Sequence, residues 1–458
     1  MNIKFFNSIS KEIENFKPLS NECITMYVCG PTVYERPHIG NARSTVVYDV
    51  LYRILIENFG KEKIKYVRNI TDVDDKINKA ATEQKISIQN LTSKIITSFN
   101  DDLRTLNCLE PNIEPKATEH IPEIITMISK LMENGNAYLV NEHVYFDVSS
   151  FADYGKLARK NLEDLVAGSR IDVSDNKKSP EDFVLWKPSK KDDDPSSTFA
   201  SPWGEGRPGW HIECSAMSTK YLGTNFDIHG GGVDLIFPHH TNEIAQSCSC
   251  YKGSSYAKYW IHNGFLTVDG EKMSKSLGNF FTIKDLLDKN IHGETIRYVY
   301  LSTHYRKPLN WTEKGLIDAK KSLDSFYRII EKHDANIKET ELDSEIKKSL
   351  NNDMNIPAAL SLMHEIAREY NKNTNSITKS ELAAKLLKAG QVLGLLTVSP
   401  TLWFQEGSDV KIDSLIEKRK KAKADKNWVE ADKIRKLLQE QDITLEDHPD
   451  GSTTWRKN

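Results

Sequence analysis

No apolar run in this sequence approaches the roughly 20 residues that a membrane-spanning helix needs, so no membrane partner is expected. The first residues, Met1-Asn2-Ile3-Lys4-Phe5-Phe6-Asn7, carry no long apolar segment and no small-residue cleavage site. A secretory leader is therefore not expected, and the expected compartment is cytoplasmic. Cysteine is scarce: Cys23, Cys29, Cys108, Cys214, Cys248 and Cys250 are scattered irregularly through 458 residues. That pattern argues against a disulfide framework and leaves metal binding or plain burial. An excess of positive charge is also lacking. The net charge is −3, so composition alone does not make the whole chain a nucleic-acid binder. There is no internal repeat, no long low-complexity tract and no sustained heptad, and a monomer is the expected state.

What is present fits a soluble globular protein, with 38% hydrophobic and 28% charged residues. A chain of this length makes roughly two to four domains. One local charge bias stands out: Lys418, Arg419, Lys420, Lys421, Lys423 and Lys426 crowd one segment near the C-terminus. Taken alone it reads as a solvated helix face; the sharper reading is a surface for phosphates.

Residues 24–29 read as a short buried strand, closed by Gly30-Pro31. Over 44–59, Val46, Val47, Val50, Leu51, Ile54 and Leu55 recur at a helical period, and Gly60 suits the C-cap. Residues 64–70 read as a second strand, which completes a βαβ unit and points to a parallel sheet. From about 120 to 200 the pattern changes to a helix (122–134), a short strand (143–148) and a charged loop, Lys190-Lys191-Asp192-Asp193-Asp194-Pro195. This reads as an insertion. Strand and helix then return: a strand at 226–229, a turn at Gly230-Gly231-Gly232, a helix from Pro238 and a strand region at 260–268.

After Trp311, Leu316, Ala319, Leu323, Phe326, Tyr327 and Ile330 mark a helix. Pro357 suits the first position of another, running through Leu360, Met363, Ile366 and Ala367, and 382–396 is a third. Thr397-Val398-Ser399-Pro400 reads as a linker and 413–441 as a small helical tail. The expected fold is α/β: a Rossmann-like parallel-sheet domain in two halves (1–120 and 201–270) around an insertion (121–200). A loop region (271–311), an α-helical bundle (312–400) and a small C-terminal tail domain (401–458) follow.

Two loops carry phosphate chemistry. Pro31-Thr32-Val33-Tyr34-Glu35-Arg36-Pro37-His38-Ile39-Gly40-Asn41 follows a strand and opens a helix. A helix N-terminus offers unpaired N–H groups and partial positive charge to a phosphate. Gly40 lets the backbone approach closely, and His38 and Asn41 can donate hydrogen bonds. On its own the loop is equally readable as a helix cap with an incidental histidine. The second loop is Lys272-Met273-Ser274-Lys275-Ser276, bounded by Gly270 and Gly278. Two lysines on a loop can neutralise charge on a departing pyrophosphate, although most such loops are exposed basic turns. Both loops in one α/β chain, in this order, favour nucleotidyl chemistry.

Spacing also suggests a metal site. Cys29 ends the first strand, Cys214 lies in Gly209-Trp210-His211-Ile212-Glu213-Cys214, and His239 and Glu243 share a helical face. All four are good zinc ligands. By spacing alone His240 competes with His239, Cys248 and Cys250 are further candidates, and a set of merely buried cysteines remains open.

The two loops resemble the HIGH and KMSKS motifs of class I aminoacyl-tRNA synthetases, with Asn41 where the general motif has a second histidine. Asparagine keeps a hydrogen-bond donor there but cannot carry charge. Met26-Tyr27-Val28-Cys29-Gly30-Pro31-Thr32-Val33-Tyr34, Gly209 to Met217, Phe226 to Leu235, Phe237-Pro238-His239-His240 with Asn242-Glu243, and Gly451-Ser452-Thr453-Thr454-Trp455-Arg456 resemble the cysteinyl-tRNA synthetase family over nearly the whole chain.

The resemblance implies ATP-dependent activation of L-cysteine, with Mg2+ accompanying ATP, and transfer to the 3'-terminal ribose of tRNA(Cys). It implies one Zn2+ held by Cys29, Cys214, His239 and Glu243, which binds the substrate thiolate and excludes serine. Glu243 is the candidate to loosen when cysteine binds. Catalytic roles fall to His38, Asn41, Lys272 and Lys275. ATP is expected at Gly40, His38, Asp234 and Lys275, and the amino-acid pocket at Trp210, His229 and Thr32. The loop region 271–311 would also meet the tRNA stem, 312–400 the anticodon stem and 401–458 the anticodon. Trp428 and Trp455 are candidate stacking platforms, and Arg435, Lys436 and Arg456 candidate phosphate contacts. Two other readings are a cysteine-adenylating ligase acting on a small amine, which has less need of 312–458, and a non-catalytic tRNA- or zinc-binding paralogue, which has no need of His38, Lys272 and Lys275.

Overall fold

The computed structural model describes residues 2–159, 177–190, 193–333, 340–405, 410–425, 427–440, 443–447 and 453–457. Lys191, Asp192, Lys426, Gly451 and Ser452, named above, lie outside the described residues, as do the side chains of Trp455 and Arg456.

A hairpin of β1 (Lys4–Asn7) and β2 (Glu12–Asn15) precedes the central sheet. β3 (Ile24–Val28) leads through α1 (Ile39–Phe59) to β4 (Ile64–Arg68), which pairs with β3 in parallel. The helix begins at Ile39, earlier than its apolar period suggests, because His38 caps it. The His38 ring accepts from Gly40 N–H, and the Asn41 amide oxygen accepts from the His38 N–H at 3.2 Å. This reciprocal cap satisfies two otherwise orphaned donors.

α2 (Asp75–Gln84), α3 (Ile88–Thr105) and α4 (Ile121–Glu133) follow. β5 (Ala137–Val140), β6 (His143–Phe146), β7 (Phe183–Pro188) and β8 (Gly206–Pro208) form a separate antiparallel sheet in that order, which extends beyond residue 200. The chain re-enters the central sheet through α5 (Trp210–Leu222), β9 (Asn225–Gly232), α6 (Thr241–Cys250) and β10 (Tyr256–Asn263). The order is β10-β9-β3-β4, all parallel.

Two local expectations are corrected here. Gly230-Gly231-Gly232 is strand, not turn. A Cβ on Gly230 would fall 2.3 Å from the Tyr48 ring, and one on Gly231 would fall 2.8 Å from the His240 ring. The glycines admit neighbours rather than reverse the chain. His239 and His240 lie in a π turn, Ile236–His240, with α6 starting only at Thr241.

β11 (Leu266–Val268) and β12 (Glu271–Lys272) form a short hairpin ahead of α7 (Ile283–Leu287) and α8 (Gly293–Leu301). β13 (Leu309–Trp311) returns beside β11 in parallel. The bundle is α9 (Glu313–Glu331), α10 (Ser344–Asn351), α11 (Ile356–Lys372) and α12 (Ser376–Leu393). α12 starts before the expected 382 because the Asn375 side chain accepts from the N–H groups of Ile377 (2.9 Å) and Thr378 (3.1 Å). Thr397 is no free linker: its N–H (2.8 Å) and hydroxyl (2.6 Å) both donate to the buried carboxylate of Glu294. α13 (Pro400–Gln405), α14 (Val410–Ala424) and α15 (Trp428–Gln439) follow, then β14 (Ile443–Asp447) paired with β15 (Thr453–Lys457). The tail is thus α/β rather than purely helical.

One continuous core joins Val46, Leu51 and Leu55 of α1 to Phe326, Leu386 and Leu393 of the bundle. Fully burying each such side chain contributes about 1.5–3 kcal/mol. A second core, around Trp186, joins the insertion to Ile212 and Ala216 of α5 and Ala245 of α6, and the tail has one of its own around Leu438. No helix among the described residues is long and apolar enough to cross a membrane.

Candidate active site and metal centre

β3 and β9 lie side by side, and from them the chain proceeds to opposite edges of the sheet. Open parallel sheets bind ligands at such a switch point, outside the C-terminal strand ends. Cys29 is the first residue beyond β3. Cys214 comes from the start of α5, His239 from the π turn, and Glu243 from the first turn of α6.

The Cys29 sulfur is 3.8 Å from Cys214 Sγ, 3.4 Å from His239 Nε2 and 3.6 Å from Glu243 Oε1. His239 Nε2 is 3.0 Å from Glu243 Oε1. A tetrahedral zinc ion with ordinary bond lengths has S–S edges of about 3.8 Å and S–N edges of about 3.5 Å. The three edges from Cys29 fit such an ion, the His239–Glu243 edge is short, and all four ligand atoms lie within 4.8 Å of one another. The chemistry fits as well. Burial pushes the Cys29 thiol well above its usual range, whereas a coordinated cation stabilises thiolate. Burial alone would raise Glu243, but His229 and His239 beside it hold it below the usual carboxylate range.

A second grouping, Cys29, His229, His240 and Glu243, overlaps the first. His240 Nε2 also lies 3.4 Å from Cys29 Sγ, so that distance does not separate the two histidines. Nor does Glu243, whose Oε1 is 3.0 Å from His239 and 3.9 Å from His240, on either side of the roughly 3.4 Å edge such an ion would set; Cys214 does, because it groups with His239 and not with His240. Cys248 and Cys250 belong to neither grouping, and Cys250 is buried where α6 packs on the insertion.

The surrounding residues orient the four. His211 Nδ1 lies 2.8 Å from His239 Nδ1, leaving His239 Nε2 turned to the cysteines. Burial pushes both rings down to about 3, so both are neutral. Trp210 stacks on His239, with ring centres 4.1 Å apart, and is 38% exposed. His229 sits deeper: it is fully buried, 2.9 Å from Glu243 Oε2, and stacked on Trp260. Tyr256 donates to the same Oε2 at 2.8 Å. His229 thus joins the cluster through Glu243, and it groups with Cys29 and His240 as well. His240 Nδ1 is 2.8 Å from His262, whose other nitrogen is 2.7 Å from the Ser8 hydroxyl. Thr32 is half-buried and bridges Thr71 across the loops after β3 and β4.

The loop after β3 and the lysine loop meet each other. His38 Nδ1 accepts from Gly40 N–H at 3.0 Å, so in the neutral ring Nε2 carries the proton and is the donor. Burial lowers the His38 pKa, against the pull of Glu35 and Asp234. Asp234 is exposed after β9. Ile39 N–H donates to Phe281 O at 2.9 Å, His38 bridges Thr282, and a Cβ on Gly40 would lie 3.0 Å from the Met273 methyl. Lys275 Nζ is 2.5 Å from Glu35 and 5.3 Å from the centre of the Phe280 ring. Lys272 is exposed on β12. The Asn279 side chain accepts from Ser274 N–H (2.8 Å) and donates to Lys272 O (3.3 Å), bracketing the loop.

Glu35, Met273, Tyr256, His211 and His262 were missed in the sequence as site residues. Glu35 and Met273 lie inside the two motifs, so a search for contacts between the motifs would have raised them. Tyr256 and His262 carry no local signal; only their places on β10, beside β9, bring them to the cluster.

The meeting of a lysine loop with the N-terminus of the first sheet-crossing helix, in this order along a split parallel sheet, places the fold among the class I aminoacyl-tRNA synthetases. Residues 15–321 match the family described as tRNA synthetases class I (C) catalytic domain, and 345–397 match the DALR domain. Cysteine–tRNA ligase of Rickettsia felis is 52% identical over 460 residues, covering 100% of both chains. That of Wolbachia pipientis is 51% identical over 455 residues, covering 99% of this chain and 98% of the relative. The chain belongs to the cysteine–tRNA ligase family. In fold it is also similar to Mycobacterium tuberculosis methionyl-tRNA synthetase in complex with methionyl-adenylate, with TM-score 0.57 at 13% identity, covering 84% of this chain and 91% of that one.

Proposed function

We propose that this chain joins L-cysteine to tRNA(Cys) in two steps. In the first, a carboxylate oxygen of cysteine attacks the α-phosphorus of ATP, forming cysteinyl-adenylate as the bond to pyrophosphate breaks. In the second, a hydroxyl of the 3'-terminal ribose attacks the carbonyl and AMP leaves.

The Nε2–H of His38 and the positive end of the α1 dipole hold the phosphates. The first N–H groups of the helix are already taken by Phe281 O, the His38 ring and carbonyl, and Asn41, and Gly40 makes room for His38 and Met273. The amide oxygen of Asn41 is spent on the His38 N–H, so Asn41 acts through its NH2 group and through the cap it completes. Lys272 and Lys275 neutralise the charge gathering on the departing pyrophosphate; Mg2+ is expected to accompany ATP. Asp234 accepts from the ribose hydroxyls. Trp210 and Thr32 wall the amino-acid pocket, and His229 holds Glu243 behind it.

Cys29, Cys214, His239 and Glu243 would hold a zinc ion. When bound, zinc would favour the substrate's thiolate over the hydroxyl of serine, a stronger discrimination than apolar contact supplies. Glu243 Oε2 keeps two partners, so Oε1 is the atom free to loosen. The helical bundle and tail, 312–400 and 401–458, would carry the tRNA; Trp428 is exposed on α15 and suits stacking. The expected setting is a cytoplasmic monomer.

The observation that carries this reading is the edge distances among the four ligand atoms, beside a lysine loop resting on a helix N-terminus. Cysteine-dependent ATP–pyrophosphate exchange tests it, with serine as competitor and a zinc chelator as control. Exchange with cysteine only, lost on chelation, is expected. No exchange with any amino acid from folded, zinc-loaded protein would overturn it in favour of a non-catalytic protein.

A further inference from the structure

Arg43, one turn beyond the α1 N-terminus, is fully buried and lies outside the site just described. Its Nη1 donates to Gly264 O at 2.7 Å and to Phe265 O. Its Nη2 donates to Lys307 O at 2.7 Å and, more weakly, to Tyr305 O at 3.4 Å. Its Nε has no partner among the described residues. All four acceptors are main-chain carbonyls, and among the described residues it forms no ion pair. Burial pushes its pKa down to about 10, which still leaves it charged near neutral pH.

A buried cation without a counter-ion is expensive to keep, and packing alone would be met better by an apolar side chain. The fork does something an apolar side chain cannot. Gly264 and Phe265 form the step from β10 to β11, and 305–307 form the step from α8 to β13. β11 and β13 are the paired strands at the root of the Lys272–Lys275 loop. The planar guanidinium clips both steps to α1 at once. The far end of the same loop is held to the same helix by Ile39 with Phe281 and by His38 with Thr282. Both ends of the lysine loop are thus referenced to the helix whose N-terminus would hold the phosphates. Gly264 leaves no slack in this arrangement, since a Cβ there would fall 2.7 Å from Lys307 O.

We infer that Arg43 is a positioning residue for adenylate formation: it fixes the root of the Lys272–Lys275 loop against α1, so that the lysines reach the departing pyrophosphate. This rests on the two-step reading above. It makes the two steps separable. Pyrophosphate leaves in the first step, so the second does not use the lysines, and loss of the clip falls on the first alone.

The test compares the wild-type chain with Arg43→Lys, which keeps the charge but not the fork, and Gly264→Ala, which pushes the two steps apart with Arg43 intact. Exchange is normalised to the number of functional sites. Transfer is measured separately, in a single turnover of tRNA(Cys) with supplied cysteinyl-adenylate. Both variants should lose about 100-fold in exchange kcat, as for a displacement of about 1 Å away from the chemistry, with KM for cysteine unchanged and the transfer rate retained. If Arg43→Lys does not fold, Gly264→Ala decides alone. A parallel fall in both steps per functional site, or undiminished exchange, overturns the role of Arg43. Absence of exchange in the wild-type chain would instead overturn the functional reading, and this inference with it.

Discussion

Tyr256 donates its hydroxyl proton, at 2.8 Å, to the Glu243 oxygen that faces away from Cys29. His229 approaches the same oxygen at 2.9 Å, so the carboxylate is fixed in rotation and only Oε1 is presented to the cysteines. Partners of this kind typically contribute 10–100-fold to metal affinity. Tyr256→Phe should therefore weaken zinc binding by about 10- to 100-fold. Competition with a chromogenic chelator measures this directly, and unchanged affinity would remove Tyr256 from the site's support.

Lys275 is expected to meet the ATP phosphates and to act most strongly on the charge that builds up as pyrophosphate leaves. Lys275→Ala should reduce pyrophosphate exchange by about 100- to 1,000-fold while tRNA binding, measured by filter retention, stays the same. Unchanged exchange would end the catalytic assignment of this loop.

Glu35 holds Lys275 in the structure described here, so ATP must draw the lysine away from it. Lys275 is 67% exposed, and exposed pairs are worth less than about 1 kcal/mol. Glu35→Gln should lower KM for ATP, by no more than about fivefold. Steady-state kinetics at fixed cysteine would detect it; a raised KM would mean that Glu35 helps to place the lysine.

His38 is held below its ordinary value of 6.5 by burial. It stays neutral as pH falls to 6.5, with Nδ1 accepting from Gly40 and Nε2–H available. The unfolded chain binds this proton more readily than the folded one. The stability contributed is therefore complete above 6.5 and is lost as pH falls from there toward the lower folded-state value. The acid limb of exchange kcat against pH should accordingly fall below pH 6.5. A limb centred above it would show that another group controls the rate.

Asp49 and Arg297 pair with neither side chain more than 2% exposed, and Arg297 Nε also donates to Leu393 O at 2.7 Å. The pair joins α1 to α8 and the end of α12. Asp49→Ala leaves a buried guanidinium uncompensated and should cost about 3–5 kcal/mol. Thermal unfolding of the whole chain would register it as a large fall in Tm.

The βαβ start, the insertion and the bundle were legible because each carries its own periodicity and punctuation. The glycine triplet at 230–232 misled, since a run of glycines signals a turn when its neighbours are unknown. Tyr48 and His240, which require those glycines, come from elements far away in the chain. The tail hairpin was missed because Ile443–Asp447 and Thr453–Lys457 are short and interleaved with charge, and their pairing is their main evidence. Cys29, Cys214, His239 and Glu243 could be gathered by ligand chemistry and resemblance. The tie of Lys275 to Glu35 and the clip of Arg43 on two carbonyl steps depend on chain crossings that no local pattern records.

The strand order has a further consequence for how this protein is made. β3 is synthesised early, but its second neighbour, β9, emerges only much later; Cys29 and Cys214 are separated by 185 positions. Until then one edge of β3 has no partner, and a growing chain carries an open strand edge. Pairings so distant in sequence form slowly. A ribosome that stalls between these segments leaves a fragment that can neither close its sheet nor assemble its four-ligand cluster, and such a fragment is inert as well as prone to aggregate.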